Sequence, residues 1–238
     1  VSSWGDYDGD GDLDLVITGY NGSTHTATIY RNDGSGTFAA IGAGLTGVTQ
    51  GSVDWGDYDG DGDLDLVVTG SNSNSTLTTI YRNDGGGTFT DIGAGLTGVD
   101  GVSSWGDYDG DGDLDLVLAG EDGSSNKTAR IYRNDGGGTF ASIGAGLTGV
   151  EFSSSDWGDY DGDGDLDLAV TGRDGSLENT ATIYRNDGGG TFSAIGAGLT
   201  GVARGATDWG DYDGDGDLDL LLTGTGKNGE TATIYENG

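Results

Sequence analysis

The sequence predicts an all-β fold, a five-bladed β-propeller built from four-stranded repeats of about 51 residues, and three observations carry that prediction. The string Trp-Gly-Asp-Tyr-Asp-Gly-Asp-Gly-Asp-Leu-Asp-Leu begins at Trp4, Trp55, Trp105, Trp157 and Trp209. A fixed period of this length marks a stacked or circular array of like units. Between the strings lie short β-branched and aromatic runs set off by Gly and Asn, with no helical periodicity. Four such runs fall in each period, the content of a propeller blade, and five copies sit within the usual range of roughly four to eight. A β-solenoid is the alternative, but its coils are usually shorter. The chain thus reads as one domain, 1–238, with repeats at about 1–50, 51–100, 101–151, 152–203 and 204–238.

The second copy justifies the elements in order. Gly51 to Trp55 is a short extended run entering the acidic string. Leu64 to Thr69 leaves it as a nearly continuous apolar strand, the pattern of a strand covered on both faces. Gly70 to Ser75 is a polar loop, and Thr76 to Arg82 a third strand. In that strand Leu77, Thr79 and Tyr81 share one face, and Thr78, Ile80 and Arg82 the other. Asn83 to Gly87 is a turn whose residues tolerate positive φ. Thr88 to Ile92 is the fourth strand, and Gly93 to Gly98 crosses to the next copy. The fourth-strand Thr-Phe pair occurs only four times, at Phe38, Phe89, Phe140 and Phe192. The last blade is therefore expected to lack its fourth strand, leaving an edge open to strand addition. Two readings stand: an edge used in assembly, or a segment clipped from a longer chain.

Net charge is −32, from 41 acidic and 9 basic side chains, and 25 of the acids are Asp residues of the five strings. They are Asp6, Asp8, Asp10, Asp12 and Asp14; Asp57, Asp59, Asp61, Asp63 and Asp65; Asp107, Asp109, Asp111, Asp113 and Asp115; Asp159, Asp161, Asp163, Asp165 and Asp167; and Asp211, Asp213, Asp215, Asp217 and Asp219. Carboxylates at every second residue, wrapped by glycines, supply the hard oxygen shell that Ca²⁺ takes. By analogy with a helix-flanked calcium loop, Asp6, Asp8 and Asp10 ligate from positions one, three and five, Gly11 makes the sharp turn, and Asp12 offers its carbonyl. Asp14 closes the shell. Position twelve is Ile17 where the helix-flanked loop has a bidentate Glu, so the loop is of another kind. One Ca²⁺ per repeat is expected, five in all, each pinning the turn between the first two strands.

The string with its flanks, Ser52-Val-Asp-Trp-Gly-Asp57-Tyr-Asp59-Gly-Asp61-Gly62-Asp-Leu-Asp65-Leu-Val-Val-Thr-Gly70, resembles the FG-GAP/VCBS repeat of integrin α-subunit propellers and many secreted bacterial proteins. The resemblance spans essentially the whole chain. It implies a calcium loop between the first and second strands of each blade. It further implies an extracellular or cell-surface module for adhesion, ligand binding or scaffolding. Integrins act through accessory domains that have no counterpart here, so their ligand mechanism does not transfer.

Several classes are disfavoured by composition. Five divalent ions would still leave a charge of −22, with no basic stripe for nucleic acid or an anionic membrane. There is no Cys and one His, His25, so the usual nucleophile–base pairs cannot be built and no enzyme is expected. The symmetric Trp residues suit packing between blades, with a sugar-stacking ring as the alternative. The loop tyrosines Tyr7, Tyr58, Tyr108, Tyr160 and Tyr212 are expected to cover apolar neighbours. Arg31, Arg82, Arg133 and Arg185 are expected to pair with nearby carboxylates. Partner specificity is expected in the loops that differ between copies, 20–26, 71–77, 121–128, 173–180 and 225–230, or in stretches such as Thr49–Asp54. Two functions follow: a building block of an extracellular assembly joined to copies of itself through its open blade edge, or a monomeric lectin-like or protein-binding adhesion domain.

Overall fold

A computed structural model describes all residues 1–238 and contains strands, turns and no helix. Each acidic string sits between two antiparallel strands, because Asp and Gly disfavour the ladder while the flanking Leu, Val and Thr favour it. The first unit comprises β1 (Ser2–Gly5), β2 (Asp14–Tyr20), β3 (His25–Asn32) and β4 (Phe38–Ala40). The second comprises β5 (Val53–Gly56), β6 (Asp65–Ser71), β7 (Thr76–Asn83) and β8 (Phe89–Asp91). The third comprises β9 (Val99–Gly106), β10 (Asp115–Asp122), β11 (Lys127–Asn134) and β12 (Phe140–Ser142). The fourth comprises β13 (Val150–Gly158), β14 (Asp167–Asp174), β15 (Asn179–Asn186) and β16 (Phe192–Ile195). The last holds only β17 (Thr207–Gly210), β18 (Asp219–Gly226) and β19 (Gly229–Tyr235).

Four sheets thus have four antiparallel strands in sequential order, and the fifth has three. Register repeats from unit to unit: Trp4 opposes Leu15, Trp55 opposes Leu66, and Trp105 opposes Leu116. The connecting segments stitch neighbours together. Val48 bridges to Thr26 of the first unit, and the next residue, Thr49, bridges to Ser71 of the second. Thr128 bridges to Val150, which ties the third and fourth sheets into one ladder.

The core lies between consecutive sheets, so each unit is buried by its neighbours and not by itself. Between the first and second units, Tyr7, Val16 and Ile29 pack against Leu66, Val68, Tyr81 and Phe89. The next two joints repeat this set with Tyr58, Val67 and Ile80, then Tyr108, Val117 and Ile131. The last joint is thinner, its apolar cluster built on three buried residues, Ala169, Ile183 and Leu220. The central strands β6, β10 and β14 are buried over six consecutive residues, as their unbroken apolar runs predict.

The array does not close. No hydrogen bond joins the first unit to the last, and the sheets form an open succession. The outer faces of both end units are bare: Trp4 is 55% and Tyr212 56% exposed, whereas Tyr7, Tyr58 and Tyr108 are buried.

Candidate metal centres and the joints between units

In each unit a chain reversal follows the first strand, and the first Asp of the string organises it. Asp57 Oδ1 accepts the Asp61 N–H at 3.1 Å, and its Oδ2 accepts the Gly62 N–H at 3.0 Å. Asp61 Oδ1 then accepts the Asp63 N–H at 2.9 Å. Gly62 holds φ +96°, and its counterparts Gly11, Gly112, Gly164 and Gly216 lie between +94° and +100°. That left-handed conformation is why only glycine fits the sharp turn.

This wrapping gathers three carboxylates, one ligand oxygen from each lying within 4.8 Å of the others. They are Asp6, Asp8 and Asp10; Asp57, Asp59 and Asp61; Asp107, Asp109 and Asp115; Asp159, Asp161 and Asp167; and Asp211, Asp213 and Asp219. Positions one and three of the string join every cluster. The third member is position five in the first two units and position nine in the others. Asp12, Asp63, Asp113, Asp165 and Asp217, at position seven, stand outside these groups, as do Asp14 and Asp65 and also Asp111, Asp163 and Asp215. The donor set is all hard oxygen and recurs once per unit, so each cluster can hold one cation and is consistent with calcium.

The position-nine Asp has a second task. Asp115 is buried; its Oδ2 accepts the Tyr108 N–H at 3.1 Å and its Oδ1 the Asn134 N–H at 2.8 Å. It thereby ties the loop to the third strand. Burial, with smaller contributions from neighbouring loop carboxylates, pushes Asp65 and Asp115 up to about 7 and Asp167 to about 6, against the pull of their N–H donors. Burial likewise raises Asp14, Asp59 and Asp109.

In the second, third and fourth units the Asn that ends the third strand carries the loop onward to the preceding unit. Asn83, Asn134 and Asn186 donate from Nδ2 to the carbonyls of Tyr7, Tyr58 and Tyr108 at 2.8, 2.7 and 2.7 Å. The same Asn also donates to the carbonyl preceding the buried Asp, at Leu64, Leu114 and Leu166. Each acidic loop is therefore anchored to a joint between units. Sequence reading placed this Asn in a turn and missed the role. Its signal was the Tyr-Arg-Asn that recurs at Asn32, Asn83, Asn134 and Asn186, with Tyr-Glu-Asn at Asn237.

Aromatic rings complete the joints. The rings of Tyr7 and Trp55 stack at 6.3 Å and 12°, Tyr58 and Trp105 at 6.3 Å and 12°, Tyr108 and Trp157 at 6.5 Å and 15°, and Tyr160 and Trp209 at 6.5 Å and 25°. The tryptophans from Trp55 onward are therefore packing residues between sheets, and a sugar-stacking ring does not form from them. Arg82, Arg133 and Arg185 pair with Asp84, Asp135 and Asp187 at 2.6 Å, whereas Arg31 makes no ion pair. His25 starts β3, half-buried beside Tyr20.

The variable stretches also build something asymmetric. A hollow of about 280 Å³ is lined by Gln50, Asp100, Glu121, Glu151 and Phe152 among others. Beside it Glu151 pairs with Lys127 at 2.7 Å and Arg173 at 2.5 Å, and Lys127 also pairs with Glu121. Phe152 holds φ +50°, a costly conformation for an aromatic residue, next to a register shift in β13.

The fold and loops define a tandem β-sheet repeat protein with one acidic, cation-competent loop per unit. The model of the FG-GAP-like repeat matches residues 6–68, 57–118, 107–170 and 159–222. These overlapping stretches each run from one acidic loop into the next and together cover most of the 238 residues, and the chain belongs to the FG-GAP-like repeat family. A comparison with curated proteins returned no match.

Proposed function

We propose that the chain is a calcium-stabilised, non-enzymatic structural and binding module whose five sheets are successive blades of a β-propeller, working outside the cell or on its surface. The observation that carries this reading is the recurrence of one three-carboxylate cluster per unit, each wired through Asn to a joint between units. Without a cation those carboxylates repel one another. With one, the loop is fixed, and the hydrogen bonds it anchors hold neighbouring sheets in place. Binding free energy then becomes folding free energy, since an unfolded loop binds weakly. Loops of this kind in extracellular modules bind at roughly 10⁻⁴–10⁻³ M, which suits a calcium-rich exterior. The family's frequent occurrence in extracellular proteins supports the same location.

In this reading the module is a building block that associates with copies of itself. A second reading is favoured by the 280 Å³ hollow: a monomeric domain that recognises extracellular protein or glycan through its variable segments. Nucleic acid and anionic membranes are poor partners for so acidic a surface. The test is calorimetric titration of chelated protein with Ca²⁺, alongside thermal melts. About five ions per chain and a large calcium-dependent rise in Tm are expected. No binding, or a Tm indifferent to chelation, would sink the proposal.

A further inference from the structure

The segment that leads from one unit to the next reads Ile-Gly-Ala-Gly-Leu-Thr-Gly every time, at 41–47, 92–98, 143–149 and 195–201. Its first two glycines are left-handed in the second and third units. Gly93 and Gly95 hold φ +66° and +67°, and Gly144 and Gly146 hold +69° and +70°. Left-handed residues in a turn aim successive N–H groups into a concavity that suits an anion. The second unit fills that concavity from within. Asp91, two residues ahead of Gly93, accepts the Gly93 N–H on Oδ1 at 2.8 Å.

The third unit keeps the segment and changes what faces it. Ser142 stands where the second unit has Asp91, and the N–H groups of Gly144, Ala145, Gly146 and Leu147 find no partner in the protein. Arg130 stands where the other third strands carry Thr28, Thr79, Thr182 and Thr233. Its Nε donates to Thr128 Oγ1 at 3.1 Å; it makes no ion pair, and both Nη groups are free. Arg130, Thr128, Ser142, Gly144 and Gly146 line one hollow of about 360 Å³ that no carboxylate borders. Lys127 borders it too, but Glu121 and Glu151 hold its ammonium, so Arg130 supplies the charge. A base without an acid is the reverse of what a net charge of −32 puts elsewhere on this chain. The unit that carries the hollow packs against a neighbour on both sides.

We infer that this hollow binds a sugar acid, its carboxylate forked by Arg130 and met by the N–H groups of Gly144 and Gly146. Asp91 on Gly93 shows that the segment accepts a carboxylate, and a guanidinium matches a carboxylate in bidentate geometry. A volume of 360 Å³ equals the share of about twelve waters and lies at the low end of small-molecule pockets. That is room for one monosaccharide. The hydroxyls of Ser142 and Thr128 and the free backbone groups offer partners to ring hydroxyls, which an acidic protein side chain would leave unmet. The surrounding acids repel anions, and screening acts only beyond about 8 Å at physiological ionic strength. A single terminal sugar acid is therefore favoured over a polyanion. The proposal rests on the recognition reading above but moves the seat from the 280 Å³ hollow to the third and fourth strands of the third unit.

The experiment is an NMR titration of isotope-labelled protein in saturating calcium with glucuronate, glucose and N-acetyl-aspartate amide. Glucuronate is expected to move the Gly144 and Gly146 amides and leave Gly93, with a Kd of about 1 mM. Glucose should bind at least about tenfold more weakly, since it lacks the charge. Arg130→Thr restores the residue of the sister strands and should raise the Kd about tenfold or more. Ser142→Asp supplies a carboxylate from within, as Asp91 does, and should abolish binding. Sister units carry both residues at these positions, so both variants are expected to keep the wild-type melting curve. The proposal falls if glucuronate leaves Gly144 unmoved, if glucose binds equally well, or if either folded variant binds like wild type. N-acetyl-aspartate amide at Gly144 without glucuronate would make the hollow a seat for acidic peptide and overturn the sugar-acid assignment. A glycan array on the same samples separates the two readings. Glycans held equally by wild type and Arg130→Thr would keep the recognition reading while this proposal falls; a silent array with no shifts would remove both.

Discussion

Gly106→Ala and Gly210→Ala make the same chemical change at the same repeat position, yet the structure assigns them opposite outcomes. A Cβ on Gly106 would lie 2.7, 2.8 and 2.9 Å from Cδ1, Cγ and Nε1 of Trp157. Ordinary carbon contacts are about 3.5–4.0 Å, so the indole must move by the better part of an ångström. It has little room, held by Tyr108 on one side and Phe192, at 6.2 Å, on another. Overpacking of this kind costs about 1–3 kcal/mol, offset by about 0.4–1 kcal/mol from a stiffer unfolded chain. The net loss is about 1–2 kcal/mol, a fall in Tm of about 2–8 °C for a chain of this size. At Gly210 no atom waits within 4 Å, so only the unfolded-state gain remains and Tm stays level or rises by about 1–4 °C. The assay is thermal unfolding of dilute protein in saturating calcium, read by tryptophan fluorescence and far-UV dichroism. Equal losses in the two variants would refute the claim that each Gly is a seat for the next unit's indole.

Other consequences follow from the loops. Asp109→Asn should lower the calcium stoichiometry by one on calorimetric titration; with about 10 mM Ca²⁺, each site should contribute about 1.4–2.7 kcal/mol to stability, and an unchanged stoichiometry would exclude Asp109 as a ligand. Without calcium, Asp65 and Asp115 at about 7 and Asp167 at about 6 bind protons more tightly folded than unfolded, where the reference is 3.8. Their contribution is complete below about pH 4 and is lost as pH rises toward 7. Urea melts of chelated protein should therefore show lower stability at pH 7.5 than at pH 5, with calcium restoring it; a chelated protein that stabilises as pH rises would contradict the burial of these groups. Asn134→Ala orphans the Tyr58 and Leu114 carbonyls and should cost about 2–4 kcal/mol, seen as a lower urea midpoint and weaker calcium binding at the third loop. Arg133→Ala removes only an exposed ion pair and should stay within about 0.5 kcal/mol on the same melts.

The repeat itself was legible in the residues because its signals are local. The Leu64–Thr69 run reads as a covered strand, and β6 is buried along most of its length. The acidic string reads as a metal loop because the chemistry of its donors and the glycine turn lie within nine consecutive residues. Even the split of the third strand held, with Leu77 and Tyr81 packed toward the first unit and Ile80 toward the third. What stayed hidden was everything that depends on which unit faces which. Asn134 looked like a turn former because its partner, the Tyr58 carbonyl, lies 76 residues away. The loop tyrosines promised apolar cover without saying that the cover is the next unit's indole.

Period and loop chemistry by themselves determined an all-β tandem array of cation-competent turns, since strand patterning and ligand spacing are properties of short segments. The tertiary structure decided which Asp residues converge, how each loop is tied to a joint, and that the first and last sheets stand apart. A near-perfect repeat carries the same letters at Trp4 and Trp105, and at Tyr58 and Tyr212. Only their places in the stack make one of each pair core and leave the other exposed.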